Sequence, residues 1–194
     1  MEKVKLIAIT GGIGSGKSTV TTMIKDMGFT TLSCDAIVSE LYQKRKVKLL
    51  IKKRFPTAVK GFLFPKLDRK ELSSIVFKDK EKLQVLTHLI TPIVLDEVIN
   101  RAKKLTGKVF VEVPLLFECE YQNKFDLVIV VMRALEQRVE SVKKRSSLTE
   151  EEILARVNSQ VNYDTLNLSN YIVIENNLSV EILKEKVINI IENI

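Results

Sequence analysis

The sequence is poor in several residues that announce common architectures. Only two cysteines, Cys34 and Cys119, occur in 194 residues; they lie far apart, outside any C-x-x-C or Cys/His cluster, which argues against a disulfide framework and a zinc site. Histidine is represented by His88 alone. No apolar run approaches the length needed to span a bilayer, and the N-terminus enters a strand at once with no cleavable signal pattern, so a soluble, cytoplasmic chain is expected. Glycine is limited to seven residues and is almost missing between residues 36 and 106. Acidic residues are in deficit: 24 Asp and Glu face 31 Lys and Arg, and the formal net charge of +7 favours anionic partners such as nucleotide phosphates, nucleic acid or acidic lipid. A hydrophobic share of 45% with 28% charged residues is ordinary for a folded domain, and the length suits one core carrying a smaller lobe.

Four of the seven glycines are gathered in residues 11–16, after the apolar run 4–9 and before a segment that reads as helix. Gly11, Gly16, Lys17 and Ser18 fit the P-loop pattern G-x-x-x-x-G-K-[ST]. Glycines let the backbone fold back so that successive N–H groups converge on an anion, and the following helix adds its positive end. Lys17 can reach the β- and γ-phosphates as a point charge, and the Ser18 hydroxyl can hold Mg²⁺ between them. Gly12, Ile13, Gly14, Ser15, Gly16, Lys17, Ser18 and Thr19 are therefore the candidate nucleotide-binding residues, for a nucleoside triphosphate with Mg²⁺.

The first helix is expected to stop at Gly28, and a strand over 29–32 leads to Asp35, a carboxylate at the carboxyl edge of a strand or, alternatively, an N-cap for a helix from Ala36. From residue 36 to about 107, apolar residues recur at spacings of three and four and strand runs vanish, which predicts a helical lobe. Its basic run from Lys44 to Arg54 places Val47, Leu50, Ile51 and Arg54 on one helical face; no aromatic residues alternate with the charges, so it reads as a solvated amphipathic helix rather than a nucleic-acid or membrane patch. Residues 55–66 read as a loop, Asp68 opens a helix to Phe77, another helix is expected over about 79–90, and Thr91-Pro92 is expected to start one ending near Gly107.

Strands return at 108–113 and 126–131, the second an unbroken apolar run of the kind found in parallel sheets covered on both faces. Glu112 suits either an acidic strand residue that orders Mg²⁺ or an exposed position; Glu118 falls in a loop at a sheet edge. A basic helix over 133–145 and a second opened by Thr149 and Glu152 in capping-box register form a hairpin with Arg138, Arg145 and Arg156. As a group these arginines suit a mobile lid, at about 138–160, over a transferred phosphoryl group. A last strand over 171–175 and a helix capped by Ser179 complete the chain, and Asn176 with the lid is the candidate for adenine contacts. A P-loop alone leaves open another small-molecule P-loop kinase, such as a nucleoside-monophosphate kinase, and a nucleotide-dependent nucleic-acid-binding protein.

Further stretches narrow the choice. The P-loop, the Asp35 segment, Leu67-Asp68-Arg69-Lys70-Glu71-Leu72 running into Ile75-Val76-Phe77, Val113-Pro114-Leu115-Leu116-Phe117-Glu118, Gln137-Arg138, Arg145, Leu148-Thr149-Glu150-Glu151, Arg156, Gln160 and Val173-Ile174-Glu175-Asn176-Asn177 occur in this order. Over essentially its whole length the chain resembles the dephospho-CoA kinase family. The resemblance implies a single three-layer α/β P-loop domain with a parallel sheet, similar to nucleoside-monophosphate kinases. Residues 1–35 and 108–194 would form the nucleotide core, 36–107 a helical acceptor-binding insert, and about 138–160 the lid. It also implies ATP, Mg²⁺ and dephospho-CoA as ligands, no nucleic-acid or membrane partner, and a monomer or small homo-oligomer. Asp35, Lys17, Arg138 and Arg145 would serve catalysis, and Asp35, Arg69, Thr91, Pro114, Leu115 and Glu118 would contact the acceptor. The chain departs from the family pattern at Ser33-Cys34-Asp35, Thr91-Pro92 and Ser169-Asn170.

Overall fold

Short β-branched runs and longer 3.6-period segments alternate along the chain, and the backbone follows that alternation. The structure, a computed structural model, describes residues 4–61 and 63–194. In chain order the elements are β1 Lys5–Thr10, α1 Lys17–Asp26, β2 Thr30–Ser33, α2 Cys34–Leu41, α3 Arg45–Arg54, β3 Val59–Lys60, β4 Lys66–Leu67, α4 Arg69–Val76, α5 Lys80–Ala102, β5 Lys108–Glu112, β6 Leu127–Met132, α6 Leu135–Arg145, α7 Glu150–Asn158, β7 Ile172–Glu175 and α8 Val180–Glu192. Two compact units result, one from residues up to Ser33 together with Arg101–Ile194, the other from Cys34–Asn100.

The first unit is built on a five-stranded sheet in the order β2-β5-β1-β6-β7, with every pairing parallel. In register, Ile7 lies beside Phe110 and Leu127, and Ile9 beside Glu112 and Ile129. Because side chains alternate along a strand, Ile7, Ile9, Phe110, Ile129, Val131 and Ile174 share one face. They pack with Val20 and Ile24 of α1 and Leu183, Val187 and Ile191 of α8. Ala8, Val109, Val111, Val128 and Val130 on the other face are buried as well, which is why these strands read as continuous apolar runs. Gly28 ends α1 at φ +91°, a conformation that costs a residue with a Cβ. Thr149 and Glu152 form the reciprocal capping box of α7, and the Ser179 hydroxyl accepts from the Ile182 N–H at the start of α8. Parallel strands share one carboxyl edge, so the segments after β1, β5, β6 and β7 all emerge on the same side.

The second unit is mainly helical. Val47 and Ile51 of α3 are buried while Lys46, Lys53 and Arg54 are exposed, the amphipathic arrangement expected of the basic run. Asp68 caps α4, accepting from the N–H groups of Lys70 and Glu71 at 3.1 and 3.0 Å. Three expectations need correction. The stretch 55–66 is not wholly loop: β3 and β4 pair antiparallel as strands of two residues, below the length at which alternation can be read. Thr91 and Pro92 do not start a helix but lie inside α5. An interior proline removes one N–H bond, yet the buried stripe Ile90, Val94, Leu95 and Val98 runs on past it, and both Pro92 and His88, whose carbonyl loses that donor, are exposed residues. Asp35 is not the N-cap of a helix from Ala36, because α2 already begins at Cys34.

Candidate active site

The loop between β1 and α1 makes the turn its glycines allow. Gly14 and Gly16 stand at φ +78° and +98°. Space matters as much as angle: a Cβ on Gly11 would run into the Val131 carbonyl of β6, one on Gly12 into the Arg138 guanidinium, and one on Gly16 into the Asn176 amide. No side chain caps α1 and its first turn holds no acidic residue, so the helix presents an N-terminal end suited to an anion. Lys17 Nζ bends back over this cradle and donates to the carbonyls of Gly11 at 2.7 Å and Gly12 at 3.0 Å. The buried Ser15 hydroxyl has no partner among the described residues. A glycine cradle with a lysine over it and an uncapped helix end fits a polyphosphate.

Side chains from neighbouring segments hold this loop. Ser18 Oγ donates to Glu112 Oε1 at 2.7 Å, which puts the strand carboxylate beside the first turn of α1. Hard oxygens of this kind suit Mg²⁺, which keeps most of its waters and shares phosphate oxygens. Asn176, 7% exposed, donates from Nδ2 to the Ser15 carbonyl at 2.8 Å, so its amide is engaged with the loop. Arg138, on α6, donates from Nε to the Ile13 carbonyl at 2.9 Å; its half-buried position lowers its pKa, with Asp164 and Tyr163 acting in the opposite sense. Arg145 lies seven residues further on, exposed in the last turn of the same helix, about 10 Å along its axis and nearly on the same face.

After β5, residues 114–120 form consecutive turns. Leu115 sits at φ +58°, a left-handed conformation that costs a non-glycine residue about 1–2 kcal/mol, while Leu116 beside it is fully buried. Glu118 Oε1 accepts from the Val161 N–H at 3.0 Å, and Oε2 is buried without a partner among the described residues. Glu118 therefore engages the segment after α7. Tyr163 joins the cluster: its hydroxyl lies 3.4 Å from Thr10 Oγ1 and its ring meets Phe117 edge-on at 5.9 Å. Burial, then the neighbouring Glu118, push the Tyr163 hydroxyl up to about 12, above its ordinary value near 10. Since the folded form holds this proton more tightly, the stabilisation is complete below pH 10 and is lost as pH rises through about 12. Tyr163→Phe should flatten the fall of stability over that window by up to about 1.4 kcal/mol per pH unit; urea unfolding at pH 9 and pH 11 measures it, and an unchanged slope would contradict it.

In the second unit, Asp35 is exposed in the first turn of α2, with Ser39 and Tyr42 four and seven residues on and hence on the same helical face. Arg69 reaches that face from α4, donating to the Ser39 hydroxyl at 3.3 Å and carbonyl at 3.0 Å, with its guanidinium 5.5 Å from the centre of the Tyr42 ring. Thr91 lies further along, within α5. An open cavity of about 530 Å³ is lined by Arg54, Glu81, Gln84, Val85, His88 and Leu89, none of them a predicted acceptor residue.

Glu112 was legible as one of two options. Gln160, whose Oε1 accepts from the Ile13 N–H at 2.7 Å, carries no sequence signal beyond its place in a family stretch, and Tyr163 carries none.

The described residues offer no group of three or more His, Cys, Asp or Glu able to hold a metal. They offer N–H donors and cations around a loop shaped for an anion at the end of a central strand, the equipment of a P-loop phosphotransferase on a three-layer α/β fold. A sequence model of dephospho-CoA kinase matches residues 5–181, and the chain belongs to the dephospho-CoA kinase family. A dephospho-CoA kinase from Thermus thermophilus is 38% identical over 157 residues, 80% of this chain and 75% of the relative. One from Listeria innocua is 34% identical over 195 residues, covering 97% and 96% of the two chains. The crystal structure of TT1252 from Thermus thermophilus aligns with a TM-score of 0.83 at 34% identity, over 100% of this chain and 99% of that one.

Proposed function

We propose that the chain transfers the γ-phosphoryl group of ATP to the ribose 3′-hydroxyl of dephospho-CoA, giving coenzyme A and ADP, the last step of coenzyme A synthesis. The observation that carries this reading is the phosphate cradle, with Lys17 over it, in a chain whose residues 5–181 match the family. In the reaction a bond forms between the 3′-oxygen and the γ-phosphorus, the bond to the β-phosphate bridging oxygen breaks, and the hydroxyl proton leaves.

The loop of residues 12–19 cradles the phosphates, and Lys17 Nζ exchanges the Gly11 and Gly12 carbonyls for phosphate oxygens. Ser18 and Glu112 would hold Mg²⁺, which would supply positive charge against the phosphates. Arg138 is already beside the loop through Ile13, and Arg145 adds charge from the same face of α6, in a lid of about 138–160. Asp35 orients the acceptor hydroxyl and receives its proton late, since an aspartate of ordinary pKa near 4 is a weak base at neutral pH. Residues 36–107 form the acceptor lobe, where Arg69 offers its fork to the acceptor's diphosphate and Thr91 adds a contact, with Pro114, Leu115 and Glu118 as further acceptor residues. Asn176 acts on the loop more directly than on the adenine. The enzyme works in the cytoplasm, as a monomer or small homo-oligomer, without a nucleic-acid or membrane partner; among the described residues no helix is long and apolar enough to cross a membrane.

The test is ADP release from ATP and Mg²⁺ with dephospho-CoA, AMP, CMP or single-stranded DNA. Turnover is expected with dephospho-CoA alone, and Asp35→Asn should lower kcat by about 10²–10⁴-fold with ATP affinity unchanged. Equal rates with the other acceptors would sink the assignment, and full activity of the variant would remove Asp35 from the site.

A further inference from the structure

In the middle of the glycine-rich loop, Ile13 has both of its flanking peptide groups, Gly12–Ile13 and Ile13–Gly14, held from outside the loop. Its N–H donates to Gln160 Oε1 at 2.7 Å and its carbonyl accepts from Arg138 Nε at 2.9 Å. The two partners come from opposite ends of the α6–α7 hairpin: Arg138 from the first half of α6, Gln160 from just beyond α7. Gln160 is itself fixed. Its N–H donates to the Val157 carbonyl at 3.1 Å, the next N–H, of Val161, is bound by Glu118, and Tyr163 stands against Thr10. The Arg138 backbone is equally close to the loop, since a Cβ on Gly14 would stand 2.5 Å from its carbonyl oxygen.

This matters because Ile13 has a glycine on either side. The peptide planes that join it to those glycines meet little steric resistance to rotation, and turning the Gly12–Ile13 plane would re-aim the Gly12 carbonyl, which accepts from Lys17 Nζ at 3.0 Å and from the Ser15 N–H at 3.1 Å and so helps to shape the phosphate cradle. The Gln160 bond fixes the direction of the Gly12–Ile13 plane, and the Arg138 bond that of the Ile13–Gly14 plane. An amide side chain is the fitting acceptor for the N–H, because it takes the bond without setting a negative charge beside the phosphates.

We propose that Gln160 is a positioning residue for the triphosphate: through the Ile13 N–H it holds the loop in its phosphate-binding shape and ties that shape to the base of the hairpin. The inference rests on the ATP-dependent reading of the site and deepens it.

The test is ATP binding by calorimetry without acceptor, together with hydrogen exchange at the Ile13 amide, in the wild type, Gln160→Leu and Gln160→Glu. Gln160→Leu should bind ATP about tenfold more weakly and exchange the Ile13 amide faster, with the KM for dephospho-CoA and the melting temperature unchanged. Gln160→Glu keeps an acceptor, so slow exchange should persist while ATP affinity falls at low salt and recovers as salt screens the added charge. Wild-type ATP affinity in Gln160→Leu overturns the proposal, as does an equal loss toward both substrates with a lowered melting temperature. Should Gln160→Leu not fold, Gln160→Glu decides alone: fast Ile13 exchange or a salt-independent ATP affinity overturns it. Wild-type turnover of dephospho-CoA is measured alongside; its absence would remove the functional reading while the ATP comparison stands.

Discussion

Lys17→Ala is expected to lower kcat for ADP formation by about 10³-fold, the effect of removing one preorganised donor from a developing charge. The ammonium of Lys17 is already aimed, since it sits on the Gly11 and Gly12 carbonyls at 2.7 and 3.0 Å, oxygens that a phosphate replaces without rebuilding the loop. Arg138 is nearby but cannot substitute, because its Nε is committed to Ile13 and its planar fork differs in shape from a compact ammonium. Lys17→Arg should therefore fail to restore the rate. The side chain contributes little to the core, so melting should stay within about 2 °C, a shift that 1 kcal/mol or less produces in a chain of this size. Steady-state ADP release with the wild type in parallel measures it, and a rate within tenfold of wild type would contradict this role.

Phe110→Ala should cost about 3–5 kcal/mol, a fall in melting temperature of roughly 6–20 °C. Phe110 is fully buried in the middle of β5, next in register to Ile7 on one side and Thr31 on the other, with its ring edge-on to Phe29 at 5.5 Å. Strands on both sides and α1 above leave the site little room to collapse, which is the condition under which a cavity is most costly. Glu112 lies two residues further along the same strand face, so loosening β5 should also disturb its bond to Ser18. Urea unfolding gives the first quantity and ADP release the second; Phe110→Leu, which keeps more of the volume, should recover most of both. A loss below 1 kcal/mol would mean that the neighbours close over the gap.

What could be read in advance depended on whether a local pattern carried the information. The sheet strands, the P-loop and the Thr149–Glu152 box are set by residues a few positions apart, and all were legible. Pro92 misled for a local reason: proline after threonine is a good helix opening, but a buried stripe running past it kept α5 whole. The β3–β4 pair was too short to leave a period. At the site, Lys17 and Ser18 are fixed by the motif, whereas the roles of Gln160 and Tyr163 come from contacts about 150 residues away in sequence, a relation that no spacing rule encodes. Glu118 was placed at the sheet edge as expected, but which group it would hold depended on where Val161 returned.

The parallel register has a consequence for how the molecule comes into being. Lys5 finds Lys108 and Ile7 finds Leu127, pairings that span roughly a hundred residues or more, so β1 waits longer for its first neighbour than any other strand of the sheet. During synthesis β1 and the loop after it must wait without their neighbours while the whole of 34–100 emerges, and a nucleotide cannot help to hold them, because the groups that shape its cradle, Arg138, Gln160 and Asn176, arrive later still. The order of the strands thus makes the nucleotide site a late product of folding, and leaves an apolar N-terminal strand as the stretch most exposed to mispairing while the chain is unfinished.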